Sequence, residues 1–361
     1  METKTTPIFS WHTDHKGKMV EFAGFKMPIQ YEGIRQEHLH VRQKAGLFDV
    51  SHMGEFRAKG SKALESLQWM TSNDVSKLEK GQAQYTLLMN DQGGVVDDLI
   101  IYCITPNEDY LLCVNAANIE KDWDWVNKHN KGAELINESD RWGQVALQGP
   151  DAFQVLDQLF DFKVSEMNSF EFKFADFEGE QVIVARTGYT GELGAEVFVP
   201  NSKTLAFWEK IMSLGESIPV KPIGLGARDT LRTEKRFPLY GHELADDISP
   251  YEAGLGWTVK LDAKDFLGKD QLLKEKQNGA KRKTVCFIVE GRGIARAGYK
   301  MFSLDEQEIG TVTSGTVSPS LEKNIGIALI KAEHAALGSE LLVEIRKQMH
   351  KVKVIKPPFV Q

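Results

Sequence analysis

The chain has 361 residues, 42% of them hydrophobic and 26% charged, an ordinary globular composition that excludes disorder, collagen and coiled coil as its main organisation. Its 44 basic and 51 acidic residues leave a net charge of −7, which argues against general nucleic-acid binding, since that needs a basic face to displace counterions. The three cysteines, Cys103, Cys113 and Cys286, lie in apolar stretches with no C-x-x-C spacing, so they build neither a disulfide framework nor a four-cysteine metal site and read as buried thiols.

At roughly 150 residues per domain the length predicts two or three domains. Met1 to Trp11 carries no basic region followed by an apolar run. No apolar stretch approaches the ~18 residues that span a bilayer. A cytoplasmic protein without membrane attachment is the expectation. Ile34 to Phe48 reads as a helix ending near Gly46, and Ser61 as the cap of a helix to about Met70 with Glu65 in its first turn. Strands follow at Tyr85 to Met89, Val95 to Thr105 and Tyr110 to Val114, the first two joined by the turn signal Asn90-Asp91-Gln92-Gly93-Gly94. Ala117 to His129 reads as helix.

After Gln148-Gly149-Pro150, Asp151 to Phe160 reads as a helix with an acidic cap. Strands are predicted near Phe170 to Phe177, at Gln181 to Arg186 and at Ala195 to Val199, and helices at Ser202 to Leu214 and Ala227 to Lys235. The polar, basic segment from Lys274 to Lys283 is the candidate boundary. Short β-type runs beyond it, Thr284 to Gln361, predict a small all-β domain, and the mixed segments before it predict α+β rather than regular βαβ alternation.

Several common signals are absent. Gly224-Leu225-Gly226-Ala227-Arg228-Asp229 opens like a dinucleotide loop but has Asp where the third glycine belongs, and no clear strand leads into it. His242-Glu243 lacks the second histidine of a zincin helix, and His38 and His40 sit two apart on a helical segment, which is poor chelating geometry. No metal is expected.

Three segments stand out. In Val95 to Tyr102, Asp97 and Asp98 interrupt an apolar strand; successive side chains point to opposite faces, so the two cannot share one site. If one faces solvent or caps the turn, the other needs a partner or a raised pKa. Either a structural carboxylate or a positioned acid or base satisfies that. Arg186 to Glu196 carries three glycines at three-residue spacing between strands, either a long hairpin turn or a backbone shaped for a ligand, with Tyr189 to stack and Glu196 to accept hydrogen bonds. Arg228 opposes a helix dipole, so it needs an ion pair with Asp229 or Glu234, or an anionic ligand. Arg292 and Arg296 form a small basic loop that reads as solvated surface.

With these segments in place the sequence closely resembles the glycine cleavage T-protein family of tetrahydrofolate-dependent aminomethyltransferases. The match runs through Phe22-Ala23-Gly24, Phe48 to Glu55, Gly93 to Leu99, Val114 to Asp122, Gln148-Gly149-Pro150, Arg186 to Glu196, Gly224 to Asp229, Pro238 to Leu244 and Thr313-Ser314-Gly315. The resemblance implies an α+β, three-domain, cloverleaf-like arrangement with a C-terminal small all-β barrel and folate in a central channel. Its implied domains are 1–50 with 140–235, the folate-binding one; 51–139 with 236–279; and 280–361.

The resemblance also implies that Asp98 is catalytic, contacting the reactive end of tetrahydrofolate. It places Tyr85, Asn115, Tyr189, Glu196 and Arg228 around folate, with Tyr240 and Met53 as neighbours. The implied partners are tetrahydrofolate as co-substrate and the lipoylated H-protein as donor, with neither nucleic acid nor membrane. A folate-dependent demethylase of the same fold and a non-catalytic folate-binding protein are the alternatives. The chain departs from the family pattern at Thr233 and Lys235-Arg236-Phe237.

Overall fold

The computed structural model describes residues 3–215 and 217–361. They fall into two compact units. The first runs to Ser66 and adds Val75–Gln84 and Leu99–Asp229; the second comprises Leu67–Asp74, Tyr85–Asp98 and Thr230–Gln361.

The first unit is organised by a six-stranded sheet in the order Phe172–Phe177, Glu180–Ala185, Gly194–Pro200, Trp142–Gln148, Ala45–Asp49, Val220–Ile223. All neighbours are antiparallel except the last pair. The period-two alternation of these strands sorts their side chains between two cores. Val182, Val184, Val197 and Val199 pack with Phe207, Trp208 and Ile211 of the helix Asn201–Leu214. Ile183, Ala185 and Phe198, on the other face, pack with Tyr102, Leu111 and Cys113. The last three belong to strands Val95–Thr105 and Asp109–Val114 of a five-stranded sheet that also holds Gly54–Lys59, Glu134–Asn137 and Ala83–Met89.

The barrel lies in the second unit. Six strands close in the order Arg282–Val289, Lys323–Lys331, Glu308–Ser318, Lys300–Phe302, Glu340–Ile345, Gln348–Ile355 around Phe287, Met301, Ile330, Val343 and Val352. The predicted β-rich C-terminal part is thus a closed barrel, a form that leaves no sheet edge unpaired. All three cysteines are buried free thiols; burial pushes Cys103 up to about 11 and Cys286 up to about 12. Among the described residues no helix is long and apolar enough to cross a membrane.

Three predictions from sequence are corrected. The helix from Ile34 stops at Gln43, and Gly46 belongs to the strand Ala45–Asp49. Gly46 is not a helix stop: a Cβ there would lie 2.5 Å from side-chain carbons of both Val41 and Ile223, so only glycine lets this strand approach the helix and its neighbour. The helix after Pro150 is short, Ala152–Leu156, and Asp151 makes no side-chain cap. The chain then turns where Asp157 accepts the backbone N–H and the hydroxyl of Ser165. A strand, Val220–Ile223, does lead into Gly224. Yet the Gly224 N–H donates to the Glu37 carboxylate at 2.8 Å, and a Cβ there would meet the Ile29 backbone at 2.4 Å. Those glycines serve close packing within the unit, not a phosphate.

Candidate functional site

The residues singled out from sequence are divided between the two units. In the first unit Glu196 sits on Gly194–Pro200, opposite Ala146 on one side and Ala185 on the other. Two-residue alternation puts it on the face that carries Phe198, hence against the apolar Tyr102 cluster. It is 7% exposed, and the Thr187 hydroxyl donates to its Oε2 at 2.6 Å. Burial raises its carboxyl above the usual carboxylate range, while the Thr187 bond and the positive charge of Arg228 oppose that rise. The result is a desolvated acceptor beside a cation, suited to a ligand that presents paired N–H donors.

Arg228, in the first turns of the helix Leu225–Glu234, lies 4.6 Å from the centre of the Tyr189 ring. A guanidinium over an aromatic face is attracted by the ring quadrupole, which helps to offset the unfavourable helix dipole. Tyr189 is held by the glycine-rich loop, and that loop is anchored. Arg42 donates to the Thr190 carbonyl at 2.6 Å and to Glu192 at 2.9 Å, while Gln148 accepts from the Thr190 hydroxyl and donates to the Thr187 carbonyl. A Cβ on Gly188 would come within 2.0 Å of the Gln148 amide oxygen, so glycine is required for this closure. Met53 packs against the Tyr102 cluster, and Asn115 precedes the short helical turn Ala116–Asn118, its carbonyl accepting from the Asn118 N–H.

In the second unit, Asp97 and Asp98 separate as strand geometry requires. Asp97 is fully buried, whereas Asp98 is half-buried and accepts a hydrogen bond from the Tyr85 hydroxyl at 3.0 Å. The turn before them is tight: the Asn90 side chain accepts from Gln92 and Gly94 N–H groups, and a Cβ on Gly94 would meet the Asp246 carbonyl at 1.8 Å. Trp257, 58% exposed, stacks on Tyr85 with ring centres 5.9 Å apart, giving a flat apolar surface beside the carboxylate. Tyr240 is half-buried and bridges Leu244. Its turn is pinned by Glu243, which accepts from Arg232, the Leu239 N–H and the Thr313 hydroxyl.

Glu234 accepts from the Ser318 hydroxyl and from the Ser320 N–H and hydroxyl. The divergent Arg236 donates to the Ala253 carbonyl at 2.6 Å, and Arg292 and Arg296 are exposed. Among the described residues no group of three or more His, Cys, Asp or Glu side chains could hold a metal ion. A cavity of about 740 Å³ in the first unit, lined by Trp11, His15, Tyr31, Lys221 and others, includes none of the residues above.

Two family models match the chain: the GCVT N-terminal domain over residues 8–263 and the glycine cleavage T-protein C-terminal barrel domain over residues 282–361. The chain belongs to the glycine cleavage T-protein family. It is 54% identical over 357 residues to the aminomethyltransferase of Bdellovibrio bacteriovorus, with 99% of each chain covered. It is 47% identical over 360 residues to that of Halalkalibacterium halodurans, covering 99% of this chain and 98% of that one. The crystal structure of the glycine cleavage system aminomethyltransferase T from Bartonella henselae superposes with a TM-score of 0.93 at 33% identity, covering 99% and 98% of the two chains. As a T-protein, the chain is an aminomethyltransferase.

Sequence reasoning missed Thr187, Trp257 and His52. The Trp257 ring meets Tyr85 from far away in sequence, which no local pattern carries, whereas Thr187 lies in the same glycine-rich segment as its partner Glu196 and becomes visible once that segment is read as a closed loop. His52 lay in plain view inside Ser51-His52-Met53, yet its burial depends on tertiary packing.

Proposed function

We propose that this T-protein moves the one-carbon unit of an aminomethyl-dihydrolipoyl arm, carried by the H-protein, onto tetrahydrofolate. The methylene carbon leaves both sulfur and nitrogen and becomes bonded to N5 and N10 of the folate. Of the two protons those nitrogens give up, one goes to the lipoyl sulfur and one to the departing amine. The products are 5,10-methylene-tetrahydrofolate, ammonia and the dihydrolipoyl thiol. Such a step works where chain and H-protein share the cytoplasm.

The observation that carries this reading is the environment of Asp98. A half-buried carboxylate accepts a hydrogen bond from the Tyr85 hydroxyl at 3.0 Å, and an ionised carboxylate, with about four acceptor sites on its two oxygens, suits a reacting amine as a further donor. Its negative charge can stabilise the cationic carbon that develops as ammonia departs, an effect worth ~3–4 kcal/mol once bound folate has displaced the water around it. Glu196 takes the adjacent N–H donors of the pterin, Tyr189 and Tyr85 offer aromatic faces, and Arg228 offers charge to the anionic ligand. Met53, Asn115 and Tyr240 complete the folate contacts.

The test is a coupled assay with aminomethyl-lipoyl H-protein and tetrahydrofolate, following ammonia and methylene-tetrahydrofolate together. Equal release of both supports the reading. Methyl-tetrahydrofolate from a small methyl donor would instead make the chain a demethylase, and folate binding without turnover a binding protein.

A further inference from the structure

His52 is 2% exposed, and its Nδ1 has no hydrogen-bond partner among the described residues. A buried polar atom left unpaired costs about as much as a lost hydrogen bond, so such atoms call for an explanation. A histidine satisfied by its own protein looks different. His12, fully buried in the same unit, bonds Asp49 at 2.9 Å through Nε2 and the Tyr31 hydroxyl at 2.7 Å through Nδ1.

The neighbours of His52 offer it nothing comparable. The Phe22 and Phe25 rings meet it edge-on at 5.6 and 6.5 Å, and aromatic rings cannot satisfy a ring nitrogen. Asp49 is near enough to act on it electrostatically, but its Oδ2 accepts from Thr6 and His12 and its Oδ1 from the Ser51 N–H. The other charge acting on His52 is Arg228, which covers the Tyr189 face and also acts on Glu196. Phe22 is 40% exposed, so the aromatic wall of His52 reaches solvent. An imidazole with an unpartnered Nδ1 therefore lies within the field of Arg228, next in sequence to Met53, at the edge of an accessible aromatic surface.

We infer that His52 is a further ligand-contacting residue of the Arg228–Tyr189 group, its Nδ1 forming a hydrogen bond with a polar group of bound tetrahydrofolate. This inference rests on the folate reading above. A neutral imidazole beside a guanidinium can present either a donor or an acceptor, which fits an amide or a ring nitrogen of the ligand rather than its carboxylates.

The test begins with the full chain carrying ¹⁵N-labelled histidine, with the His52 resonances identified by their loss in H52Q and H52N. Tetrahydrofolate and lipoylated H-protein are added in separate titrations. The His52 Nδ1 signal should move with tetrahydrofolate and stay in place with H-protein. In parallel, H52L should weaken tetrahydrofolate binding about tenfold, with H52Q or H52N recovering most of it, while kcat at saturating folate holds. That split between KM and kcat is not what general loosening of the fold produces, and thermal melts of each variant check it.

A wild-type chain that binds tetrahydrofolate with the His52 signal unmoved overturns the inference and leaves the folate reading intact. So does a response to H-protein alone. A wild-type chain that binds no tetrahydrofolate takes both down. Should H52L fail to fold, the wild-type spectrum still decides.

Discussion

Two carboxylates of this chain, Glu196 and Asp98, are placed on strands of similar apolar sequence and end in opposite environments. Glu196 points between two sheets, is nearly dry, and has its carboxyl raised by burial despite Thr187 and Arg228. Asp98 is half-buried, with the Tyr85 hydroxyl on one oxygen. A desolvated acceptor next to a fixed cation is well made for holding a ligand. A partly solvated carboxylate beside an aromatic pair is better made for meeting changing charge. On the function proposed above, the contrast separates binding from chemistry, and it can be broken at either carboxylate.

The largest effect is expected from D98N, which keeps the shape and removes the charge: kcat should fall about 10²–10⁴-fold in the ammonia-release assay. D97N alters a fully buried group on the opposite face of the strand and should show its main effect in thermal stability instead.

The next effect concerns acid. Burial, with Arg228 adding to it, lowers His52 from its ordinary 6.5 to about 4, so the unfolded chain takes up a proton that the native chain refuses. The native state's advantage is complete above pH 6.5 and is lost as pH falls toward 4, by about 3 kcal/mol at the lower end. H52Q should lose that much less between pH 7 and 4 in urea melts; an identical slope would show that His52 titrates normally.

E196Q should weaken tetrahydrofolate binding by about 2 kcal/mol, the worth of hydrogen bonds to a charged acceptor, with little change in kcat at saturation. Y85F should be mildest. Losing one hydroxyl bond to the charged Asp98 removes an interaction worth about 1.5–3 kcal/mol, but one made before and during the reaction alike, so kcat should drop only several-fold, an outcome that sharpens the assignment of chemistry to this pair.

Much of this was legible in the sequence. Strand alternation alone separated Asp97 from Asp98, and the Asn90 to Gly94 turn signal located the hairpin that presents them. The β-rich C-terminus appeared as a run of short strands, though closure into a barrel depends on the pairing of Arg282–Val289 with Gln348–Ile355, which no local pattern shows. The glycine-rich loop was seen, but not its anchors Arg42 and Gln148, which are distant in sequence. Gly46 was misread because glycine signals a turn and close packing with the same letter, and the strand Val220–Ile223 before Gly224 was missed because it is only four residues long. Trp257 depends on which face the fold leaves open and His52 on which it buries, information held in tertiary packing.

The central claim is that binding and chemistry belong to different carboxylates, and one tetrahydrofolate titration of D98N and E196Q beside the wild type tests it most directly. D98N should bind tetrahydrofolate as the wild type does despite its lost turnover, and E196Q should bind markedly more weakly. Equal loss of binding in both variants would contradict the division and make Asp98 one more folate anchor.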